Sequence, residues 1–132
     1  MQQADRHVIV DTIRHALTGK QILDQCLKVF QRNRDAVIWL VVPDYDVDST
    51  KKKIRVALAK ERHRMATKAT EGEIGEEVAA TARLFTLAMS NDTVKIGKHR
   101  VGLQIRYTVT KTQQRQRVYS MSTKPKNLIF LR

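Results

Sequence analysis

Basic side chains without neighbouring acids dominate the last part of the sequence. Residues 93–132 contain ten lysines and arginines and no aspartate or glutamate. Cations that face one way neutralise successive phosphates of a nucleic acid and release the counterions condensed on it. The segment therefore predicts a surface that binds a polyanion through its phosphates. The predicted contacts in this segment are Lys98, Arg100, Arg106, Lys111, Arg115, Arg117, Lys124 and Lys126.

A second basic block lies in the middle of the chain. Residues 51–70 carry eight basic side chains against the single acid Glu61. Apolar residues recur there at helical spacing, and a step of about 100° per residue places cations on both flanks of the apolar stripe. We therefore expect a helix over about residues 50–66 that makes a second contact with phosphates. The predicted contacts on it are Lys51, Lys52, Lys53, Arg55 and Arg62.

Two tyrosines in the basic segment differ in their expected roles. If Arg115 and Arg117 share a strand face, the two-residue period places Tyr119 on that face as well. An exposed tyrosine beside arginines can stack a base, which is worth about 1–3 kcal/mol. The alternative is that Tyr119 faces the core. Tyr107 belongs to an alternating apolar set and is predicted to be buried.

Acidic residues offer an enzymatic alternative. Asp44, Asp46 and Asp48 follow an apolar strand, where carboxylates of metal-dependent nucleases often bind Mg²⁺. Residues two apart in an extended loop point in alternating directions, and no second acidic motif completes a site. Asp48 or Ser49 is more simply the cap of the following helix. We therefore predict a protein that is not an enzyme, with a nuclease as the alternative.

Metal and thiol chemistry have weak support in the sequence. The four histidines are scattered and no cysteine pair accompanies them, so no zinc site and no cofactor is expected. The only cysteine, Cys26, falls among apolar residues of a predicted helix and is interpreted as a core residue. The histidines are His7, His15, His63 and His99.

Composition narrows the class of protein and its partners. The net charge of +12 and the pI of about 10.3 favour a nucleic-acid partner over a small-molecule substrate. The longest apolar run, residues 36–42, is too short to span a bilayer, and the first residues do not resemble a signal peptide. We therefore expect an intracellular protein. Single strands or structured RNA are slightly favoured over duplex DNA, because a basic open sheet suits stacking better than groove entry.

A protein partner is the remaining alternative. Residues 71–92 carry five acids against Arg83, so an acidic block separates the two basic blocks. The basic surface could therefore meet an acidic protein, as in an assembly, coat or inhibitor protein. The acidic block could equally meet the basic block of a neighbouring copy, which would make a homo-oligomer.

The N-terminal third is predicted to be helical with one buried strand. Ile9, Ile13 and Leu17 recur at helical spacing, and a second helix is expected to follow Gly19. Thr18 with Gln21 predicts a capping box at its start. Residues 36–42 are continuously apolar and rich in β-branched side chains, which is typical of a strand covered on both faces.

The rest of the chain is predicted to form two more helices and a meander. Thr70 with Glu73 predicts a capping box for a helix that extends to about Ser90. Residues 101–109 alternate between apolar and polar, which predicts a strand with one packed and one solvent-exposed face. Shorter strands are expected at 94–96, 118–121 and 128–131.

The predicted fold class is α+β in a single domain, 1–132. Residues 1–92 are expected to be mainly helical, with N-terminal helices, one buried strand and two further helices. Residues 93–132 are expected to form a basic, antiparallel β-meander of three to four strands.

Overall fold

The computed structural model describes residues 6–109, except for the side chain of Arg83. Over this range, three helices pack on a four-stranded mixed sheet, which confirms the predicted α+β class. A short 3₁₀ turn, Asp44–Asp46, precedes the second helix. The elements are β1 His7–Asp11, α1 Gly19–Arg32, β2 Val37–Pro43, α2 Val47–Thr70, α3 Glu76–Leu84, β3 Phe85–Gly97 and β4 Arg100–Val109.

The sheet has the strand order β1-β2-β4-β3. β1 and β2 are parallel and are connected through α1, whereas β4 is antiparallel to both β2 and β3. The β3–β4 hairpin confirms the start of the predicted meander. The strands predicted at 118–121 and 128–131 lie outside the described residues. No helix in the described range is long and apolar enough to cross a membrane.

The predicted first helix, carrying Ile9, Ile13 and Leu17, is wrong. Residues 7–11 form the strand β1, in which Ile9 pairs with Trp39 of β2. A short β-branched run is compatible with both the helical period and the strand period, and here pairing with β2 stabilises the strand. Asp11 then turns the chain, because its Oδ1 accepts from the backbone N–H of Ile13 at 2.9 Å.

The capping box at the start of α1 is confirmed. The backbone N–H of Gln21 donates to the Thr18 hydroxyl at 3.2 Å, and the N–H of Thr18 donates to the Gln21 side chain at 2.9 Å. Both bonds satisfy donors that a helix start leaves without partners.

The helix predicted from Thr70 to Ser90 is present but shorter, and its predicted capping box is wrong. α2 continues to Thr70, whose hydroxyl donates to the carbonyl of Ala66 at 3.1 Å instead of capping a new helix. α3 begins only after Gly75 and ends at Leu84. Phe85 begins β3, where the aromatic and β-branched residues pair with the end of β4.

The main core lies between the helices and one face of the sheet. Cys26 is fully buried in it, and burial raises the pKa of its thiol to about 12. This confirms the prediction of a core thiol, which stays protonated and unreactive at neutral pH. The core includes Ile22, Phe30, Ile38, Leu40, Val42, Ile54, Leu58, Leu103 and Ile105.

The other face of the sheet is buried as well at its centre. Trp39 is 1% exposed, and Gln104, its cross-strand neighbour on β4, is 2% exposed. Gly102 is also buried and Arg106 is half-buried. The prediction that this face of β4 is exposed to solvent is therefore wrong. The reason is that the neighbouring positions on β2 carry large apolar side chains.

Candidate nucleic-acid interface

Helix α2 presents most of its predicted contacts to solvent. Lys52, Lys53 and Arg55 are exposed, and so is Lys60, which was not among the predicted contacts. Lys51 is 8% exposed and lies on the buried side of the helix with Ile54. The exposed cations of α2 are therefore available to a ligand, whereas Lys51 does not belong to this surface.

Arg62 is held by the protein itself. Its guanidinium donates to the carbonyl of Phe85 through Nε at 2.8 Å and through Nη2, and it lies 5.7 Å from the centre of the Phe85 ring. This cation therefore links α2 to the start of β3. The contacts of Arg62 are therefore structural.

A groove runs between α1 and α2 with a volume of about 530 Å³, and we call it the basic groove. Two acids line it, and each has a basic partner. Lys20 Nζ lies 3.0 Å from an oxygen of Asp24, and Arg64 Nη2 lies 2.6 Å from an oxygen of Glu61. Five basic and two acidic side chains give the groove a net charge of +3. The basic residues are Lys20, Lys52, Lys53, Lys60 and Arg64.

Three lysines of the groove remain available. The hydrogen bond from Arg64 lowers the pKa of Glu61 and raises that of Arg64, so both stay charged at neutral pH. Within residues 6–109, Lys52, Lys53 and Lys60 form no ion pair. Their charges are therefore uncompensated by neighbouring acids, which favours an anionic ligand.

Gly19 sets the separation of the two helices that form the groove. A Cβ atom at this position would lie 2.7 Å from the carbonyl oxygen of Lys53. The first turn of α1 can therefore approach the backbone of α2 only because the residue is glycine. Sequence reasoning treated Gly19 as a helix boundary and missed this packing role.

The β3–β4 hairpin divides its predicted contacts between solvent and structure. Lys98 is exposed at the turn. Arg100 is half-buried, and its Nη2 lies 3.1 Å from Oδ2 of Asp11. This ion pair connects the start of β4 to the end of β1 across β2. Arg100 therefore has a structural partner in place of a phosphate.

Arg106 lies on the second face of the sheet, away from the basic groove. Its Nε is 3.4 Å from the side-chain oxygen of Gln104, and burial, followed by the charge of Arg6, lowers its pKa. The structure therefore does not bring Arg106 together with the lysines of α2. The other predicted contacts lie outside the described residues: Lys111, Arg115, Arg117, Tyr119, Lys124 and Lys126.

A second concavity, with a volume of about 560 Å³, lies at the other end of α1, and we call it the aromatic cleft. Tyr107 is half-buried there, with its ring centre 5.7 Å from that of Phe30 and 5.8 Å from that of Phe85. The Arg34 guanidinium lies 5.3 Å from the centre of the Tyr107 ring. Tyr107 thus packs against the core, as predicted, but it is only half-buried and also lines a surface cleft.

The acidic loop after β2 is used for local structure. Asp46 is the residue before α2, and it accepts from the Thr50 hydroxyl at 3.4 Å. The predicted cap Asp48 lies instead in the first turn of that helix. Across the range of the chain that the structure describes, no three His, Cys, Asp or Glu side chains are placed to hold a metal ion.

His7 and Trp39 form a pair on the second face of the sheet. The indole Nε1 of Trp39 donates to Nδ1 of His7 at 3.0 Å, which requires neutral His7. Burial, followed by the charges of Arg6 and Arg106, lowers the pKa of His7. A histidine with a lowered pKa makes its full contribution to stability above about pH 6.5, its value in the unfolded chain. The contribution is lost as pH falls through the folded value.

We therefore expect the free energy of unfolding to fall between pH 7 and pH 5 more steeply in the wild type than in His7→Asn. Asparagine keeps an acceptor near Nδ1 but does not titrate. Urea unfolding monitored by the single tryptophan, Trp39, measures both proteins. Equal pH dependence in the two proteins would show that His7 is not the titrating group.

Comparison of the chain with protein-family models, with curated proteins and with solved structures found no match.

Proposed function

We propose that this chain is a non-enzymatic protein that binds the phosphate backbone of a nucleic acid through the basic groove. The observation that carries the proposal is the set of lysines Lys52, Lys53 and Lys60, which line one groove without acidic partners among the described residues. Lysines on flexible stems can follow a backbone of irregular shape. The groove therefore suits the successive phosphates of a nucleic-acid backbone better than a single small anion.

The spacing of the lysines supports a chain-like ligand. Lys52 and Lys60 are eight residues apart on one helix, which is about 12 Å of axial rise. Arg64 extends the basic side chains by another turn. A ligand with several anionic groups along its length can contact all of them at once, and each contact releases counterions.

Single strands and RNA are the forms that the groove favours over duplex DNA. A concave groove between two helices can enclose one strand and leave its bases free to contact neighbouring side chains. The six basic residues beyond position 110 add further positive charge to the chain, which favours a polyanionic ligand. They lie outside the described residues.

A salt titration tests the proposal. The logarithm of the affinity for a labelled single-stranded oligonucleotide should fall linearly with the logarithm of the salt concentration, with a slope of about −0.7 per phosphate contacted. Four contacts thus predict a slope of roughly −3. The oligonucleotide should remain intact when Mg²⁺ is present. Absence of binding in dilute buffer would overturn the proposal, and cleavage with Mg²⁺ would overturn its non-enzymatic aspect.

A further inference from the structure

We infer that the aromatic cleft binds an unpaired base of the same strand whose phosphates lie in the basic groove. The inference rests on the proposed function and adds a base-binding subsite to it. The subsite would give the protein a preference for strands that can present a base outside a duplex.

The two concavities adjoin along the α1–α2 interface. Glu61 lines both of them. On α1 the groove is lined by Leu23 and the cleft by Leu27, which is one turn further along. On α2 the cleft reaches Met65, about 7.5 Å of axial rise beyond Lys60. A strand in the basic groove can therefore extend into the cleft.

Tyr107 and Arg34 supply the two sides of a stacking site. The Arg34 side chain is exposed and covers the Tyr107 ring through a cation–π contact. A base inserted between them would stack on the ring on one side and on the guanidinium plane on the other. Phe30 and Phe85 hold the tyrosine from the side of the core, so the ring is already oriented.

The rim of the cleft selects among bases. Glu77 is exposed and lines the cleft, and within residues 6–109 it forms no ion pair. An ionised carboxylate only accepts hydrogen bonds, and cytosine offers an amino group as a donor. Uracil lacks such an amino group, and its one donor on this edge, N3–H, lies between two carbonyl oxygens that repel a carboxylate. The cleft should therefore prefer cytosine to uracil.

Comparison of three oligomers of equal length and charge tests the inference. We expect the wild type to bind oligocytidine at least about fivefold more tightly than an abasic oligomer with the same backbone. Oligouridine should bind with intermediate affinity, and Glu77→Gln should reduce the difference between the two base-containing oligomers. Titration at constant salt by fluorescence anisotropy measures all three.

Variants locate the subsite. Tyr107→Leu and Arg34→Ala should each reduce the preference for bases over the abasic oligomer, whereas Tyr45→Leu, at a tyrosine that is 85% exposed outside the cleft, should not. Trp39 fluorescence checks that each variant folds. If Tyr107→Leu does not fold, Arg34→Ala tests the subsite in its place. Equal wild-type affinity for the abasic and base-containing oligomers overturns the subsite and leaves the proposed function intact. Failure of every oligomer to bind overturns both.

Discussion

Replacing Lys52, Lys53 and Lys60 together by alanine is expected to weaken single-strand binding about tenfold or more in dilute buffer. These lysines are the cations of the basic groove without an acidic partner among the described residues. Loss of three phosphate contacts should also make the salt dependence shallower, by roughly 2 in the logarithmic slope. Anisotropy titrations at several salt concentrations measure both effects.

A second triple variant controls for net charge. Arg14, Lys28 and Lys95 are exposed and lie outside the basic groove, so their replacement by alanine removes the same charge from other surfaces. We expect this control to retain most of the affinity and most of the slope. If both triple variants lose affinity equally, the nucleic acid responds to overall charge, and the groove is not its site.

Gly19→Ala is expected to destabilise the protein by about 1–3 kcal/mol. The new Cβ would lie 2.7 Å from the carbonyl oxygen of Lys53, and a backbone atom cannot rotate away as a side chain can. α1 must therefore move away from α2, which changes the width of the basic groove. Urea unfolding followed by Trp39 measures the stability, and oligonucleotide affinity measures the effect on the groove.

Gly97→Ala is the matched control for this prediction. The nearest atom that a Cβ at Gly97 would meet is Arg100 Cδ at 4.0 Å, which is an ordinary contact. Alanine there should leave stability unchanged or raise it slightly, because it restricts the unfolded chain. Equal stability of the two variants would show that α1 and α2 tolerate the extra atom and that Gly19 does not limit their approach.

Local signals in the sequence were sufficient for several elements of the fold. The Thr18–Gln21 capping box fixes the start of α1, because both partners lie within four residues of each other. β2 is a continuous apolar run rich in β-branched residues, and a central strand of this kind is apolar on both faces. These elements could be predicted because the residues that determine their contacts or their burial lie within one short segment.

Two elements were predicted wrongly because their conformation depends on a distant partner. The segment with Ile9 and Ile13 has the spacing of a helix, but Ile9 pairs with Trp39, which lies beyond the whole of α1. Similarly, Phe85 and Met89 fit a helical period and are instead paired with β4. A periodic pattern shows which residues are apolar, and the neighbouring strand decides the conformation.

The candidate site, like the fold, could be predicted only in part. The basic character of α2 was evident from its composition, but the sequence does not reveal which cations the protein uses internally. Arg62 and Arg100 resemble the other cations in sequence, yet the Phe85 carbonyl and the Asp11 carboxylate hold them in the fold. The aromatic cleft was missed because Arg34, Glu77 and Tyr107 come from three separate segments.

The position of β4 between β2 and β3 constrains the order in which the sheet can be completed. Ile38 of β2 pairs with Ile105 of β4. This flank of β2, the most apolar strand, therefore has no native partner until residues 100–109 have been synthesised. On the ribosome, β1, α1 and β2 can already associate while this flank of β2 still offers unpaired backbone groups. Such an open flank is prone to pair with other chains. A nascent or truncated chain that ends before β4 would therefore be the form most exposed to aggregation.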